Sequence, residues 1–175
     1  MVEFSPADSA PRHILRGAGC VGGTVGGLSI PAQPCRAATA PGLAAPGLAA
    51  PGIAALWLGP DEFLLIGAAT ADIEAAFGAV PHALVDVSHR QHGLHLHGED
   101  APTLLAGAVP LDLAPAAFPV GMCTRTIFEK TEIVLWRTGE TAWHIEVARS
   151  FAPYVQALLA AIAAANGVAW RSRPD

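Results

Sequence analysis

Charge is scarce in this sequence: charged residues make up 14% of the chain, against roughly a quarter in an ordinary soluble protein. So few charges can hardly solvate a whole surface. Two readings stay open. Either a partner covers part of that surface, or the composition has drifted towards alanine (36 residues), which is favoured in helices and tolerated outside the core. Acidic residues are absent between Ser9 and Pro60, where only Arg12, Arg16 and Arg36 are charged. The remainder holds all 15 acids against 10 − 3 = 7 bases, for a net charge of −5. An acidic body with three scattered arginines argues against nucleic acid as a partner.

Paired cysteines are also missing. Cys20, Cys35 and Cys123 are odd in number and show no metal-type spacing, which fits a reducing compartment. No basic segment precedes an apolar run at the N-terminus, which opens with Glu3 and Asp8, so no signal peptide is expected. The longest apolar stretch, around Val155 to Ala165, is too short to span a bilayer. A cytoplasmic protein with no membrane partner is the expectation.

What is present suffices for a core: 52% hydrophobic residues and a mean hydropathy of +0.41 over 175 residues exclude disorder throughout. Residues 1–53 read as a Gly/Pro/Ala-rich arm and linker. Within it Ala40-Pro-Gly-Leu-Ala44 recurs as Ala45 to Ala49 and, with isoleucine, as Ala50 to Ala54. Proline fixes φ and glycine frees it, so neither helix nor ladder is expected to persist there. Residues 54–168 read as the domain and 169–175 as a C-terminal tail. The domain begins with apolar runs at 56–58 and 63–66, joined by Gly59-Pro60-Asp61-Glu62 as a four-residue hairpin loop.

Thr70 is the expected cap of a helix ended by Gly78, and 83–88 with 94–97 a second strand pair. A helix through Leu104 and Leu105 follows, then strands at 123–128, 133–137 and 142–148. Ser150 is the expected cap of the clearest helix, with Phe151, Val155, Leu158, Leu159 and Ile162 on one stripe and Asn166-Gly167 as its stop. Strand pairs interleaved with single helices give an α+β fold, antiparallel sheets with packed helices.

Chemistry-bearing motifs dissolve on inspection. Gly17-Ala-Gly-Cys-Val-Gly22 matches the dinucleotide fingerprint in letters. The glycines that follow make no helix, however, and no acid comes before Asp61 to hold a ribose. Asp86, Ser88 and His89 contain the letters of a triad, but on a strand His89 points away from the other two. His95 and His97 share a strand face, with His92, His89 or His82 as a conceivable third metal ligand. Alternating Leu and His is also what a half-exposed strand shows. His144 and Glu146 form a similar pair on the last strand. No general acid–base pair or nucleophile emerges, so no catalytic, cofactor-binding or metal-binding residues are assigned.

Seven segments in order do resemble a known family. They are Gly59-Pro-Asp-Glu-Phe-Leu-Leu65, Val85-Asp-Val-Ser-His-Arg-Gln91, Pro110-Leu-Asp-Leu113, Phe118-Pro-Val-Gly121, Thr124-Arg-Thr126, Leu135-Trp-Arg137 and Arg149-Ser-Phe-Ala-Pro-Tyr154. Over about residues 56 to 165 the chain resembles the gamma subunit of heterotetrameric sarcosine oxidase; the arm lies outside the resemblance. The resemblance implies a fold similar to the folate-binding aminomethyltransferase domain and a non-catalytic accessory role beside alpha, beta and delta subunits. The complex it implies oxidises sarcosine or a related N-methyl amine and passes the one-carbon unit to tetrahydrofolate. FAD, FMN and NAD would reside in the large subunits and zinc in the delta subunit, with no cofactor in this chain.

Arg125, Arg149 and Trp170 are the candidate interface residues. For the arginines the alternative is an internal pair with Asp86, Asp112 or Glu146. Two other functions stay open: a free-standing folate-binding aminomethyltransferase-like protein, or a metal binder built on the histidine strand.

Overall fold

The computed structural model describes residues 1–40 and 52–172, so most of the pentapeptide repeat lies outside the described residues. Along the chain run β1 (Val2–Pro6), β2 (Arg12–Arg16), β3 (Thr24–Val25), β4 (Leu28–Ser29), β5 (Ala37–Thr39), β6 (Ala54–Gly59) and β7 (Glu62–Ile66). Then come α1 (Thr70–Phe77), β8 (Ala83–Asp86), β9 (Gln91–His97), α2 (Ala101–Ala106) and β10 (Cys123–Phe128). The chain closes with β11 (Thr131–Arg137), β12 (Ala142–Ala148), α3 (Ala152–Ala165) and β13 (Trp170–Ser172). These elements sort into two compact units, one of Met1–Asp8 with residues from Arg90 onward, the other of residues 9–40 and 52–89.

In the first unit, six strands order as β10-β11-β12-β9-β1-β13, antiparallel except for the parallel β1–β13 pair. Period-2 alternation decides which side chains meet the helices. Phe4, Leu94, Leu96, Ile133, Leu135, Trp143, Ile145 and Val147 form one core with Leu104 and Leu105 of α2. Val155, Leu159 and Ala163 of α3, spaced four apart, complete that core. Pro153 sits in the first turn of α3, where its missing N–H costs nothing. Gly167, at φ 66°, ends the helix behind Asn166.

The second unit carries the five-stranded order β5-β6-β7-β2-β8. Its core joins Leu15, Ala55, Phe63 and Leu65 of the sheet to Ile73 and Phe77 of α1, with Val25, Leu28 and Ile30 beside them. Gly67 holds φ 85°, and a Cβ there would run into the Gly52 carbonyl oxygen. Only glycine fits that turn.

Several sequence expectations change. Residues 1–53, expected as an arm, supply β1 and β2 to the interiors of the two sheets, where Val2, Phe4 and Leu15 are buried. The glycine and proline content averaged over that stretch hides two five-residue strands. The expected tail carries β13, which pairs with β1 through Val2↔Trp170. The four-residue hairpin loop shrinks to Pro60-Asp61, because Gly59 and Glu62 pair across a bulge.

β8 and β9 do not pair with each other. β8 joins β2, and β9 lies between β1 and β12. In helix α1 the N-cap position falls on Ala69, with no side-chain cap bond, and Thr70 is the first helical residue. Ser150 lies in a 3-10 turn over Arg149–Phe151 that precedes α3, so Phe151 stays outside the helical stripe at 44% exposure.

Candidate functional site

The two faces of the six-stranded sheet differ. Opposite the helices, the register aligns Cys123, Trp136, His144, His95 and Ser5 in one row across five strands. The His144 ring meets Trp136 edge-on at 5.8 Å and His95 at 4.9 Å. Two residues along β12, on the same face, Glu146 Oε1 lies 2.7 Å from His144 Nε2, and both side chains are buried. His144 Nδ1 lies 3.4 Å from His95 Nδ1, so the two rings form a continuous polar row with the Glu146 carboxylate. The sequence put His95 with His97; the sheet puts it with His144, and His97 turns to Thr141 Oγ1 at 3.3 Å. Among the described residues, no group of three or more His, Cys, Asp or Glu side chains is placed to hold a metal ion.

The triad letters form a turn. Asp86 Oδ1 accepts the Ser88 backbone N–H at 2.8 Å. Ser88 Oγ accepts the Arg12 N–H at 2.9 Å, so the hydroxyl is bound to the β2 backbone. Bonds from the Ser88 side chain and backbone hold the Asp86 carboxyl below its ordinary range; burial opposes this weakly, and His13 and His89 add to it. A depressed folded value means that the stabilisation is present above the unfolded pKa, about 3.9, and is lost as pH falls through the folded one. Ser88→Ala is therefore expected to raise the Asp86 titration midpoint followed by NMR. An unmoved midpoint would rule out the serine hydroxyl as a cause and leave the backbone N–H.

Gly17 to Gly22 forms a 3-10 turn over Ala18–Cys20 and then leads to β3, with no helix to receive a phosphate. His13, which the sequence did not single out, is buried in β2 with Nε2 2.9 Å from Thr70 Oγ1. His82 Nδ1 is 2.8 Å from the Val80 carbonyl oxygen.

The three interface candidates take different positions. Arg125 Nε lies 3.6 Å from Glu132 Oε1, an exposed diagonal pair between β10 and β11. Trp170 stacks on Phe4 at 5.4 Å and packs against the first unit's core. Arg149 is exposed, and its side chain makes no ion pair among the described residues. Arg137 entered the sequence reading only within the Leu135-Trp-Arg137 segment, with no role of its own. It is buried, and its guanidinium donates to the carbonyls of Phe118 at 2.8 Å, Glu140 at 2.7 Å and Gly139 at 3.2 Å while lying 5.2 Å over the Trp143 ring. Nothing in a Leu-Trp-Arg segment distinguishes such a clamp from a surface charge.

Antiparallel sheets carrying packed helices define the class, an α+β fold. Aminomethyltransferase T of the glycine cleavage system from Bartonella henselae shares the fold at a TM-score of 0.66, with 15% identity over 97% of this chain and 47% of that one. The sarcosine oxidase gamma subunit family matches residues 31–165, and the chain belongs to that family. The match starts well ahead of the motifs read from the sequence.

Sarcosine oxidase subunit gamma from Corynebacterium sp. (strain P-1) is 43% identical over 100 residues, 55% of this chain and 49% of that protein. The same subunit from Arthrobacter sp is 42% identical over 94 residues, 51% of this chain and 46% of the relative. The chain thus spans about half the length of the curated relatives it matches. A chain of the heterotetrameric sarcosine oxidase from Corynebacterium sp. U-96, solved in complex with pyrrole 2-carboxylate, superposes at a TM-score of 0.75. Its identity is 29%, over 93% of this chain and 84% of that one. No helix among the described residues is long and apolar enough to cross a membrane.

Proposed function

We propose that this chain is a non-catalytic accessory subunit of a cytoplasmic, heterotetrameric, flavin-dependent oxidase of sarcosine or a related N-methyl amine. The single observation that carries this reading is membership of the gamma subunit family over residues 31–165. In this reading alpha, beta and delta subunits surround the chain. FAD, FMN and NAD sit in the large subunits, zinc in the delta subunit, and tetrahydrofolate receives the one-carbon unit away from this chain. The internal wiring is consistent with the assignment: Ser88, Asp86, His144, Glu146 and Arg137 all hold other parts of the chain. A low charge fraction suits a surface that a partner covers.

Docking falls to exposed residues, with Arg149 foremost. Arg125 contributes as an exposed member of its pair with Glu132, and Trp170 by supporting the sheet edge at β13. Co-expression with the large subunits, followed by size exclusion and a visible absorption spectrum, is the test. The chain is expected to co-elute with a yellow flavoprotein. A colourless, monodisperse chain that ignores those subunits would sink the proposal and turn attention to folate binding.

A further inference from the structure

The register between β9 and β12 ends at Gln91↔Ala148. One residue on, the Arg149 backbone N–H donates to the Arg90 carbonyl at 2.8 Å, which brings the two arginines side by side where the chain enters the 3-10 turn over Arg149–Phe151. Like charges on neighbouring backbone segments repel. Both arginines are exposed, and neither side chain makes an ion pair among the described residues. Five of the other described arginines are matched, Arg36 being the exception. Arg16, Arg125 and Arg171 face carboxylates, and Arg12 and Arg137 donate to carbonyls. Immediately beyond Arg149, Phe151 is exposed at 44% and Pro153 is exposed beside it.

We infer that Arg90, Arg149 and Phe151 form one docking patch that receives an acidic segment of a partner subunit, two carboxylates for the arginines and an apolar pocket for the ring. This inference rests on the accessory-subunit reading. The charge argument selects the partner's chemistry. An adjacent pair of unmatched cations is a local liability in isolation that a carboxylate-bearing surface removes. Arginine and aromatic side chains are also the residue types that dominate interface energetics. A small anion would satisfy the guanidinium groups and leave Phe151 uncovered, so a protein surface fits the whole patch better. Arg149 Nη atoms and those of Arg90 together offer a wider donor array than one bidentate fork.

The test uses the full chain co-expressed with the flavoprotein subunits, comparing wild type, Arg149→Gln, Phe151→Ala and the double variant Arg90→Glu/Arg149→Glu. The wild-type complex is expected to weaken on adding salt. The double variant is expected to bind at least ~100-fold more weakly. Arg149→Gln should weaken the complex about tenfold while raising the melting temperature of the free full chain by about 1–2 °C, because a like-charge contact has gone. That opposite pair of signs is what a merely structural arginine would not produce.

Complexes of all variants as tight as wild type would overturn the patch and leave the accessory role standing. Absence of the wild-type complex would overturn both. A lowered melting temperature in Arg149→Gln would make the arginine a scaffold residue and overturn the inference. The patch is likewise overturned, in favour of a small-anion site, if inorganic phosphate raises the wild-type melting temperature, but not the double variant's, while the complex is unchanged.

Discussion

Glu146→Ala is expected to lower the free energy of unfolding by about 3–5 kcal/mol, the usual cost of removing one member of a buried charged or strongly hydrogen-bonded pair. The Glu146 side chain is fully buried, and its carboxylate oxygen lies 2.7 Å from His144 Nε2. Truncation strands that ring nitrogen in a place water does not reach. It also loosens the 3.4 Å contact from His144 Nδ1 to His95, because the carboxylate orients the ring. The double replacement His144→Leu/Glu146→Leu should fall within about 1 kcal/mol of the wild type, since paired buried polar groups can be exchanged for apolar ones of similar volume. His95 is only partly buried and can turn its nitrogen to solvent. Denaturant titration of wild type and both variants checks this; a Glu146→Ala variant as stable as wild type would show that the pair contributes nothing.

Arg137→Ala is expected to cost about 3 kcal/mol, from loss of charge-assisted bonds worth about 1.5–3 kcal/mol each when made singly, discounted because they share one side chain. Those bonds tie the Phe118 carbonyl and the Gly139 and Glu140 carbonyls of the β11–β12 turn to one planar group packed on Trp143. Arg137→Lys should recover less than half of the loss, because an ammonium cannot fan out to three carbonyls and stack on an indole at once. Chemical denaturation gives the magnitude, and near-ultraviolet circular dichroism of Trp143 reports whether the stack persists. Full rescue by lysine would mean that charge alone matters at this position.

Local pattern made much of the fold legible. The alternation of Ala142 to Ala148, the three-strand run 123–148 and the stop of α3 at Asn166-Gly167 are all where the sequence places them. Val2 and Phe4 alternate just as clearly, but a five-residue strand has no turn partner nearby to announce it. Its neighbours are β9 and β13, about ninety and one hundred and seventy residues along the chain. The candidate residues divide in the same way. Arg149 was visible as an arginine at a strand–helix junction, whereas its place beside Arg90 depends on which strand lies beside β12.

By itself, then, the sequence determined composition, the α+β pattern of the central segments and, through seven ordered motifs, the family. These rest on periodicities and spacings within a few tens of residues, where side-chain alternation and turn chemistry act locally. Tertiary structure alone decided that residues 2–16 enter two different sheets, that β8 and β9 part company, and that Arg137 is a clamp and Trp170 a packed residue. Each depends on a pairing between distant parts of the chain. Such contacts are selected by the burial of whole faces, and no local window of sequence records which distant strand completes them.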